Sequence, residues 1–270
     1  MRILRRITKN KLISSLLIIF IIVILYILYY NIEEYENYQD TIQKRTLEKD
    51  GFCVLYNQKY SIETKDYPCE ELKNDVLSLL PPGYVFIDYI YKINSVSLST
   101  FHRDVTSSQH IFDTKHTVYT LILYKYDGEL LSICPGSNKT YPFVTSRILN
   151  IDGNSGTVFL FDSDVLHAGR TNNCKYREVL QYKICHRDDL PKLKSLVGVY
   201  KEKTEKCVNS WYVKTIRKLS YYFEMPINYF AYPLMIKREN NNLIGFIQSF
   251  IPMSYYNNET FRLLYNSPFL

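Results

Sequence analysis

The sequence predicts a mainly β protein with flanking helices, arranged as a β-sandwich or jelly roll and preceded by one transmembrane helix. Three observations predict this fold class. A nineteen-residue run without a charged residue lies near the N-terminus. Between residues 84 and 184, short runs rich in Val, Ile, Tyr and Thr are separated by Gly, Asn, Asp and Ser, which is typical of consecutive strands. The chain has 270 residues and 46% apolar content, enough for one sizeable domain beside the membrane segment.

The uncharged run Leu12–Tyr30 predicts a membrane anchor. A helix of that length, rising about 1.5 Å per residue, covers the hydrocarbon thickness of roughly 30 Å. A cleaved signal peptide is the alternative, but its apolar region is only about 7–15 residues long and ends in small residues. This run ends instead in two tyrosines and an asparagine. The sequence therefore favours a signal anchor that is retained.

The charges on the two sides of this run predict its orientation. Basic residues within residues 1–11 precede the run, and acidic residues within 31–47 follow it. The positive-inside tendency places the N-terminus in the cytoplasm and the body in the lumen or outside the cell, which is a type II topology. That compartment permits disulfides among the six cysteines, whose pairing the sequence leaves open. Two sequons, at Asn138 and Asn258, fit a glycoprotein.

The net charge of +6 does not predict nucleic-acid binding, because part of the excess lies in the basic tail of residues 1–11. No Cys-x-x-Cys pair occurs, which argues against a zinc ribbon or a thioredoxin-like redox site. We therefore expect a membrane partner and no nucleic acid. The predicted organisation is a cytoplasmic basic tail at 1–11, the anchor at 12–30, a stalk at 31–47, a catalytic core at 48–188, and a helical, aromatic-rich C-terminal extension packed on the core at 189–270.

Within the core, Gly51–Leu55 predicts a short strand and Tyr67–Leu80 a helix, since its apolar residues recur at helical spacing before a Pro-Pro-Gly stop. After Asp188 the pattern indicates helices again, most clearly at Trp211–Tyr222. Further strands are predicted at Tyr84–Ile93, Thr117–Tyr126, Leu130–Cys134, Thr157–Phe161 and Glu178–Ile184.

A candidate metal site begins at His102-Arg103-Asp104. Residues two apart on an extended segment point the same way, so the imidazole and the carboxylate can reach one ion. His167, which follows the apolar run Thr157–Phe161, can supply the third ligand. Two imidazoles and one carboxylate on Fe(II) leave positions open for a co-substrate and dioxygen. Zinc enzymes use similar ligands, so residue types alone do not select the metal.

Arg177 adds a second element to this site. It comes ten residues after His167, at the entry to the predicted strand Glu178–Ile184. A guanidinium there can pair bidentately with the distal carboxylate of 2-oxoglutarate. Tyr119 and Thr120, on the strand after the first ligands, are candidates for further contacts to this co-substrate.

Several of these residues occur in the order of one known family. They are Glu48–Leu55, His102-Arg103-Asp104, Gly128–Ser137, Gly156–Asp162, His167, Asn172 or Asn173, and Arg177. This order, over roughly residues 46–188, resembles the phytanoyl-CoA dioxygenase-like branch of the Fe(II)/2-oxoglutarate oxygenases.

The resemblance implies a double-stranded β-helix of the jelly-roll or cupin type. It implies His102, Asp104 and His167 as iron ligands and Arg177 as the 2-oxoglutarate anchor. Fe(II), 2-oxoglutarate and O2 would then be required, with ascorbate as an optional reductant. The aspartate at position 104 favours hydroxylation over halogenation, with 2-oxoglutarate decarboxylated to succinate. The substrate stays open among small molecules, lipids, glycans and proteins.

Two other functions are compatible with parts of the sequence. A type II membrane glycosyltransferase could use Asp162-Ser163-Asp164 as a metal-binding Asp-x-Asp motif, but it needs an α/β nucleotide-binding region where residues 84–160 predict consecutive strands. A non-catalytic jelly-roll binding protein would keep the fold and lack turnover.

The remaining histidines are interpreted as ordinary core or surface residues. They are His110, His116 and His186. His186-Arg187-Asp188 repeats the first triplet, but no histidine follows it to complete a second triad. We therefore do not predict a metal site there.

Overall fold

A computed structural model describes most of the chain as two compact units, residues 1–32 and residues 33–270. The residues described are 2–29, 33–35, 45–95, 100–141, 146–170, 176–205 and 211–222.

The first unit is one helix, α1 (Arg2–Tyr29). It includes most of the predicted anchor, and large apolar side chains along it are exposed, such as Leu16 and Phe20, each at 57%. Among the described residues, however, no helix combines the length and the apolarity that a membrane crossing requires. The transmembrane segment predicted at 12–30 is therefore not found in the described part of the chain.

The second unit is a two-sheet jelly roll with flanking helices. The larger sheet has the strand order β11-β4-β10-β5-β8-β2, with β3 paired to β10, and the smaller has the order β1-β7-β6-β9. The strands are β1 (Glu33–Tyr35), β2 (Phe52–Tyr56), β3 (Tyr84–Phe86), β4 (Tyr89–Ser95), β5 (Tyr119–Tyr124), β6 (Gly128–Ile133), β7 (Ile148–Gly153), β8 (Thr157–Asp162), β9 (His167–Gly169), β10 (Glu178–His186) and β11 (Val199–Glu205).

Alternation along the strands separates two apolar layers. In β5, Ile122 packs between the two sheets, whereas Leu121 packs on the outer face of the larger sheet. The same alternation puts Val179 of β10 between the sheets and Leu180 outside. Side chains of adjacent strand residues point to opposite faces, so each central strand is apolar on both sides. This explains why the sequences of these strands are nearly continuous apolar runs.

Helices cover the outer face of the larger sheet. The helix α4 buries Leu72 and Val76 against that face, as its apolar spacing predicts. The helices of this unit are α2 (Leu47–Asp50), α3 (Gln58–Glu63), α4 (Glu70–Ser78), α5 (Gln109–Phe112) and α6 (Trp211–Tyr222), with 3₁₀ segments at Val105–Ser107 and Arg187–Leu196.

The mainly β, jelly-roll prediction is confirmed, and three of its details change. Strands β7 and β9 were not predicted, and β11 replaces part of the helical region expected after Asp188. Within the predicted stalk, β1 pairs in parallel with β7. The β11 sequence is highly charged because it is an edge strand, where exposed Lys and Glu are tolerated. The described cysteines, Cys53, Cys69, Cys134 and Cys185, are free thiols.

Candidate metal and co-substrate site

The three predicted ligands converge at one end of the jelly roll. Nε2 of His102 lies 3.8 Å from Oδ1 of Asp104, and Nε2 of His167 lies 3.9 Å from the same oxygen. One ligand atom from each residue lies within 4.8 Å of the other two. Asp104 and His167 are buried, while the side chain of His102 is 31% exposed. The donor set of two imidazoles and one carboxylate fits Fe(II) with positions left open.

Backbone pairing fixes the two histidines opposite each other. The amide of each donates to the carbonyl of the other, at 2.9 Å from His102 and 3.0 Å from His167. Each Nδ1 lies near a carbonyl two residues earlier, 2.8 Å from Thr100 and 3.0 Å from Val165. Nδ1 therefore carries the proton in both rings. Nε2 keeps its lone pair and faces Asp104, as a metal ligand requires.

The two oxygens of Asp104 have different surroundings. Oδ1 faces the histidines, whereas Oδ2 accepts hydrogen bonds from Thr120 Oγ1 at 2.5 Å, Lys183 Nζ at 2.7 Å and Gln181 Nε2 at 3.3 Å. Those donors occupy Oδ2 and leave Oδ1 as the oxygen available to a metal. The carboxylate is therefore oriented for monodentate ligation.

Lys183 is the unexpected member of this site. Its side chain is fully buried, and Nζ donates to Asp104 Oδ2, to Ser107 Oγ at 2.8 Å and to Thr120 Oγ1 at 2.7 Å. All its donors therefore have acceptors, which a buried ammonium needs. Burial lowers the pKa of the Lys183 amine from its ordinary value, against the raising effect of Asp104.

The electrostatics keep Asp104 and His167 in their metal-binding forms. Burial opposes ionisation of Asp104, but the positive charge of Lys183 outweighs it with help from both histidines, and the pKa of the carboxyl falls below its ordinary value. Burial, followed by the neighbouring His102, lowers the pKa of His167 to about 4. At neutral pH Asp104 is therefore a carboxylate and His167 a neutral imidazole.

Arg103 fixes the segment between the first two ligands. Its side chain is fully buried and points away from them. The guanidinium donates to the carbonyls of Ser137, at 2.9 Å, and Asp164, and lies 5.1 Å from the ring of Tyr141. The amide of Asp104 donates to Ser163 O at 2.9 Å. These contacts hold the extended geometry that directs residues 102 and 104 to the same side.

Arg177 is buried at the entry to β10, with 4% of its surface exposed. Nε donates to Tyr126 Oη at 3.0 Å and Nη2 to the carbonyl of Arg170 at 2.5 Å. No described carboxylate lies within ion-pair distance of it. A buried guanidinium without an anionic partner is costly, and an incoming carboxylate would compensate its charge. Arg177 thus fits the predicted role of co-substrate anchor.

The two other predicted co-substrate residues lie on opposite faces of β5. Thr120 points into the site and donates to Asp104. Tyr119 packs on the outer face, 5.5 Å from the ring of Tyr84, so the structure does not bring it to the metal ligands. The physical reason is the two-residue period of a strand, which allows only one of two consecutive residues to face the site.

Sequence reasoning missed Gln181 and Lys183. Both lie in β10, an otherwise apolar strand, on the same face as Val179. The signal was present in the sequence. Polar residues at alternate positions lie on one face of a strand, and such a polar face is unusual in an otherwise apolar central strand.

The Asp-x-Asp motif of the glycosyltransferase alternative forms a structural turn. Asp162 accepts from Asn138 Nδ2 at 2.8 Å and from the amide of Asp164 at 2.9 Å, while Asp164 accepts from the amide of Gln109 at 2.9 Å. Burial, and then the charge of Asp162, raises the pKa of Asp164 to about 7. The surrounding strands are antiparallel rather than part of an α/β layer. Glycosylation of Asn138 would break its bond to Asp162, and Asn258 lies outside the described residues.

The comparisons with known proteins found similar solved structures but no similar sequence family. No protein-family profile and no curated protein sequence matches the chain. AviO1 from Streptomyces viridochromogenes is 14% identical, over 56% of this chain and 96% of its own, with a TM-score of 0.40. HygX from Streptomyces hygroscopicus was solved with nickel and 2-oxoglutarate bound. It is 13% identical over 52% of this chain and 84% of its own, with a TM-score of 0.39.

A third similar structure is SnoN, a non-heme α-ketoglutarate-dependent epimerase from nogalamycin biosynthesis. It is 11% identical over 52% of this chain and 79% of its own, with a TM-score of 0.38. At this level of similarity, the fold assignment rests on the strand order of the chain itself. Iron and 2-oxoglutarate are ligands of the HygX structures, and this chain has a His-Asp-His group that could hold a metal ion.

Proposed function

We propose that this chain is an Fe(II)- and 2-oxoglutarate-dependent dioxygenase that hydroxylates an organic substrate. One observation carries the proposal: the oriented ligands of His102, Asp104 and His167 occur together with Arg177, a buried guanidinium that has no described carboxylate partner. A plain zinc hydrolase site would need the three ligands but not the buried cation.

Each residue has a distinct task in this proposal. The two Nε2 atoms and Asp104 Oδ1 hold the iron, and Arg177 binds the distal carboxylate of 2-oxoglutarate. Lys183 and Thr120 hold the second oxygen of Asp104 away from the metal. When bound, iron and 2-oxoglutarate supply the oxidative chemistry, in which decarboxylation to succinate and CO2 accompanies oxygen insertion into the substrate.

We further assign the chain to the phytanoyl-CoA dioxygenase-like branch. The ordered motifs from Glu48 to Arg177 support this assignment, as does the side-by-side position of the segments that carry them. The retained Asp104 supports hydroxylation. The substrate class remains a small molecule, a lipid, a glycan or a protein.

Succinate release from 2-oxoglutarate tests the function without knowledge of the substrate. The wild-type chain supplied with Fe(II), O2 and ascorbate is expected to form succinate slowly, and His167→Ala to form none. Arg177→Ala is expected to raise the KM for 2-oxoglutarate by about 100-fold, because it removes a charge-assisted bidentate contact. Arg147→Ala is the matched control, since Arg147 is exposed. Binding of 2-oxoglutarate without succinate would instead support a non-catalytic jelly-roll protein.

We also propose a type II membrane location, with the body lumenal or extracellular. The uncharged run at residues 12–30 and the basic residues ahead of it support this location. The test is alkaline carbonate extraction with protease protection of a C-terminal tag. Extraction into the soluble fraction, or cleavage of the tag from the cytoplasmic side, would contradict the proposal.

A further inference from the structure

A second group of metal-ligating side chains lies outside the dioxygenase site. His116, His186 and Asp188 each offer one ligand atom, and these atoms lie within 4.8 Å of one another. His116 precedes β5, His186 ends β10, and Asp188 lies at the start of the following 3₁₀ segment. Sequence reasoning rejected a site at His186-Arg187-Asp188 for lack of a later histidine. The third ligand instead comes from an earlier one, His116.

A buried carboxylate orients the first ligand of this group. Asp189 is 1% exposed and accepts the amides of Lys115 at 2.8 Å and His116 at 2.9 Å. Its Oδ2 also lies 2.9 Å from Nδ1 of His116. Because Asp189 is an acceptor, Nδ1 of His116 carries the proton and Nε2 keeps its lone pair. In metal sites generally, a ligating histidine often donates its other ring N–H to a carboxylate in the same way.

His186 and Asp188 lie close to each other and to His116, and the His186 side chain is 18% exposed. Nδ1 of His186 lies 3.6 Å from Asp188 Oδ2, and the His186 ring centroid lies 3.9 Å from that of His116. The side chains of His116 and Asp188 are 36% and 63% exposed, so an ion can enter from solvent and the side chains can adjust around it. Ligand distances of about 2.0–2.2 Å require an inward movement of roughly 1 Å.

This group does not belong to the dioxygenase site. Lys183 of β10 points between the sheets to Asp104, whereas His186 lies at the outer face with its ring against Tyr84, at 5.6 Å. Histidine-rich ligation with one carboxylate suits zinc and neighbouring transition metals rather than calcium or magnesium.

We propose that His116, His186 and Asp188 bind a zinc-class divalent transition-metal ion, with Asp189 orienting His116. The ion joins the segment before β5 to the end of β10. These two strands supply Thr120 and Lys183, the donors that hold Asp104. The second ion is therefore expected to stabilise the framework of the first site without taking part in its chemistry.

Metal stoichiometry tests this proposal separately from the dioxygenase function. The full-length, untagged chain with His102→Ala and His167→Ala lacks the first site, and equilibrium dialysis against Zn²⁺ is expected to find one bound ion. Adding Asp188→Ala or His116→Gln to this background is expected to weaken zinc binding by at least about 10-fold. Co²⁺ substitution should give a visible absorption band that is lost in the same variants.

One further variant makes the outcome decisive. His110→Gln in the same background is the matched control, because His110 belongs to neither ligand group, and it should retain the bound zinc. Asp188 is exposed, so Asp188→Ala is not expected to impair folding. No zinc bound by the background variant, or equal binding after Asp188→Ala and His116→Gln, would overturn the proposal. Either result leaves the iron-dependent formation of succinate by the wild-type chain untouched.

Discussion

At the residue scale, the site is defined by the different roles of the two oxygens of the Asp104 carboxylate. Oδ1 is directed to the histidines, and Oδ2 is held by Thr120, Gln181 and Lys183. The buried Lys183 ammonium has a second effect, since it stabilises the ionised carboxylate. A proton therefore competes only weakly with a metal ion for Asp104.

Lys183→Met tests this role. Without the ammonium, the pKa of Asp104 rises, so the pH at which metal affinity is lost moves upward. Turnover is expected to fall by about 10- to 100-fold, because the carboxylate loses its orientation. Co²⁺ titration between pH 4 and 8 measures the first effect, with Lys192→Met as the control, since Lys192 pairs with Asp113 at the surface. If Lys183→Met loses its metal affinity at the same pH as the wild type, this role is contradicted.

His167 makes the metal-free fold sensitive to acid. Its folded pKa of about 4 lies below the ordinary value of 6.5, so the unfolded chain binds the proton more readily. Stability is therefore present above about pH 6.5 and is lost as the pH falls towards 4, by about 3 kcal/mol in total. Urea unfolding with a chelator present, across that range, measures the loss. The same pH dependence in His167→Gln would exclude His167 as its source.

The sequence predicted the candidate metal ligands and Arg177 but missed Gln181 and Lys183, which hold the second oxygen of Asp104. The structure brings His102, Asp104 and His167 together as expected, and it buries Arg177, which the sequence did not predict. The sequence alone did not show which of Thr120 and Tyr119 faces the site, because this depends on the register of β5. Lys183 reaches Asp104 across 79 positions of sequence, so the alternating polar residues of β10 could have marked an unusual face but not its partner.

At the element scale, the helix α6 supports the smaller sheet and the segment before His102. Arg217 is buried and donates to the carbonyl of Gly169 at 2.7 Å and to Ser132 Oγ at 2.7 Å. Ser220 Oγ accepts the amide of Phe101 at 2.8 Å, directly beside the first metal ligand. A helix from the C-terminal region therefore supplies hydrogen-bond partners to polar groups of the core.

Ser220→Ala tests this support. The buried amide of Phe101 loses its acceptor, and the free energy of unfolding is expected to fall by about 1–3 kcal/mol. Urea denaturation measures the change. Ser78→Ala is the control, because Ser78 bonds only its own exposed helix, and it should change stability by less than about 0.5 kcal/mol. Equal effects of the two substitutions would show that α6 does not support the His102 segment.

Strand prediction succeeded in the centre of the larger sheet and failed for some short and edge strands of both sheets. The strands β5, β8 and β10 are buried on both faces and stand out as apolar, β-branched runs. By contrast, β9 has three residues and β11 is a charged edge strand. Short strands and edge strands are specified by their pairing with neighbours rather than by their own composition, so one sequence carries little signal for them.

At the scale of the whole molecule, the jelly roll explains how distant parts of the sequence form one site. His102 enters the smaller sheet through its bridge to His167, while Thr120 and Lys183 come from neighbouring strands of the larger sheet. The site therefore lies where the two sheets meet at one end of the fold. Because both sheets contribute, the geometry depends on the complete core rather than on one loop.

The most direct test of the central claim is an anaerobic titration of the purified chain with Fe(II) and 2-oxoglutarate. We predict a visible metal-to-ligand charge-transfer band in the wild type, its loss in His167→Ala, and its weakening in Arg177→Ala. Those results would show one iron ion bound by the triad with 2-oxoglutarate anchored on Arg177. A well-folded, iron-supplied wild-type chain that gives no band would contradict the assignment of this site.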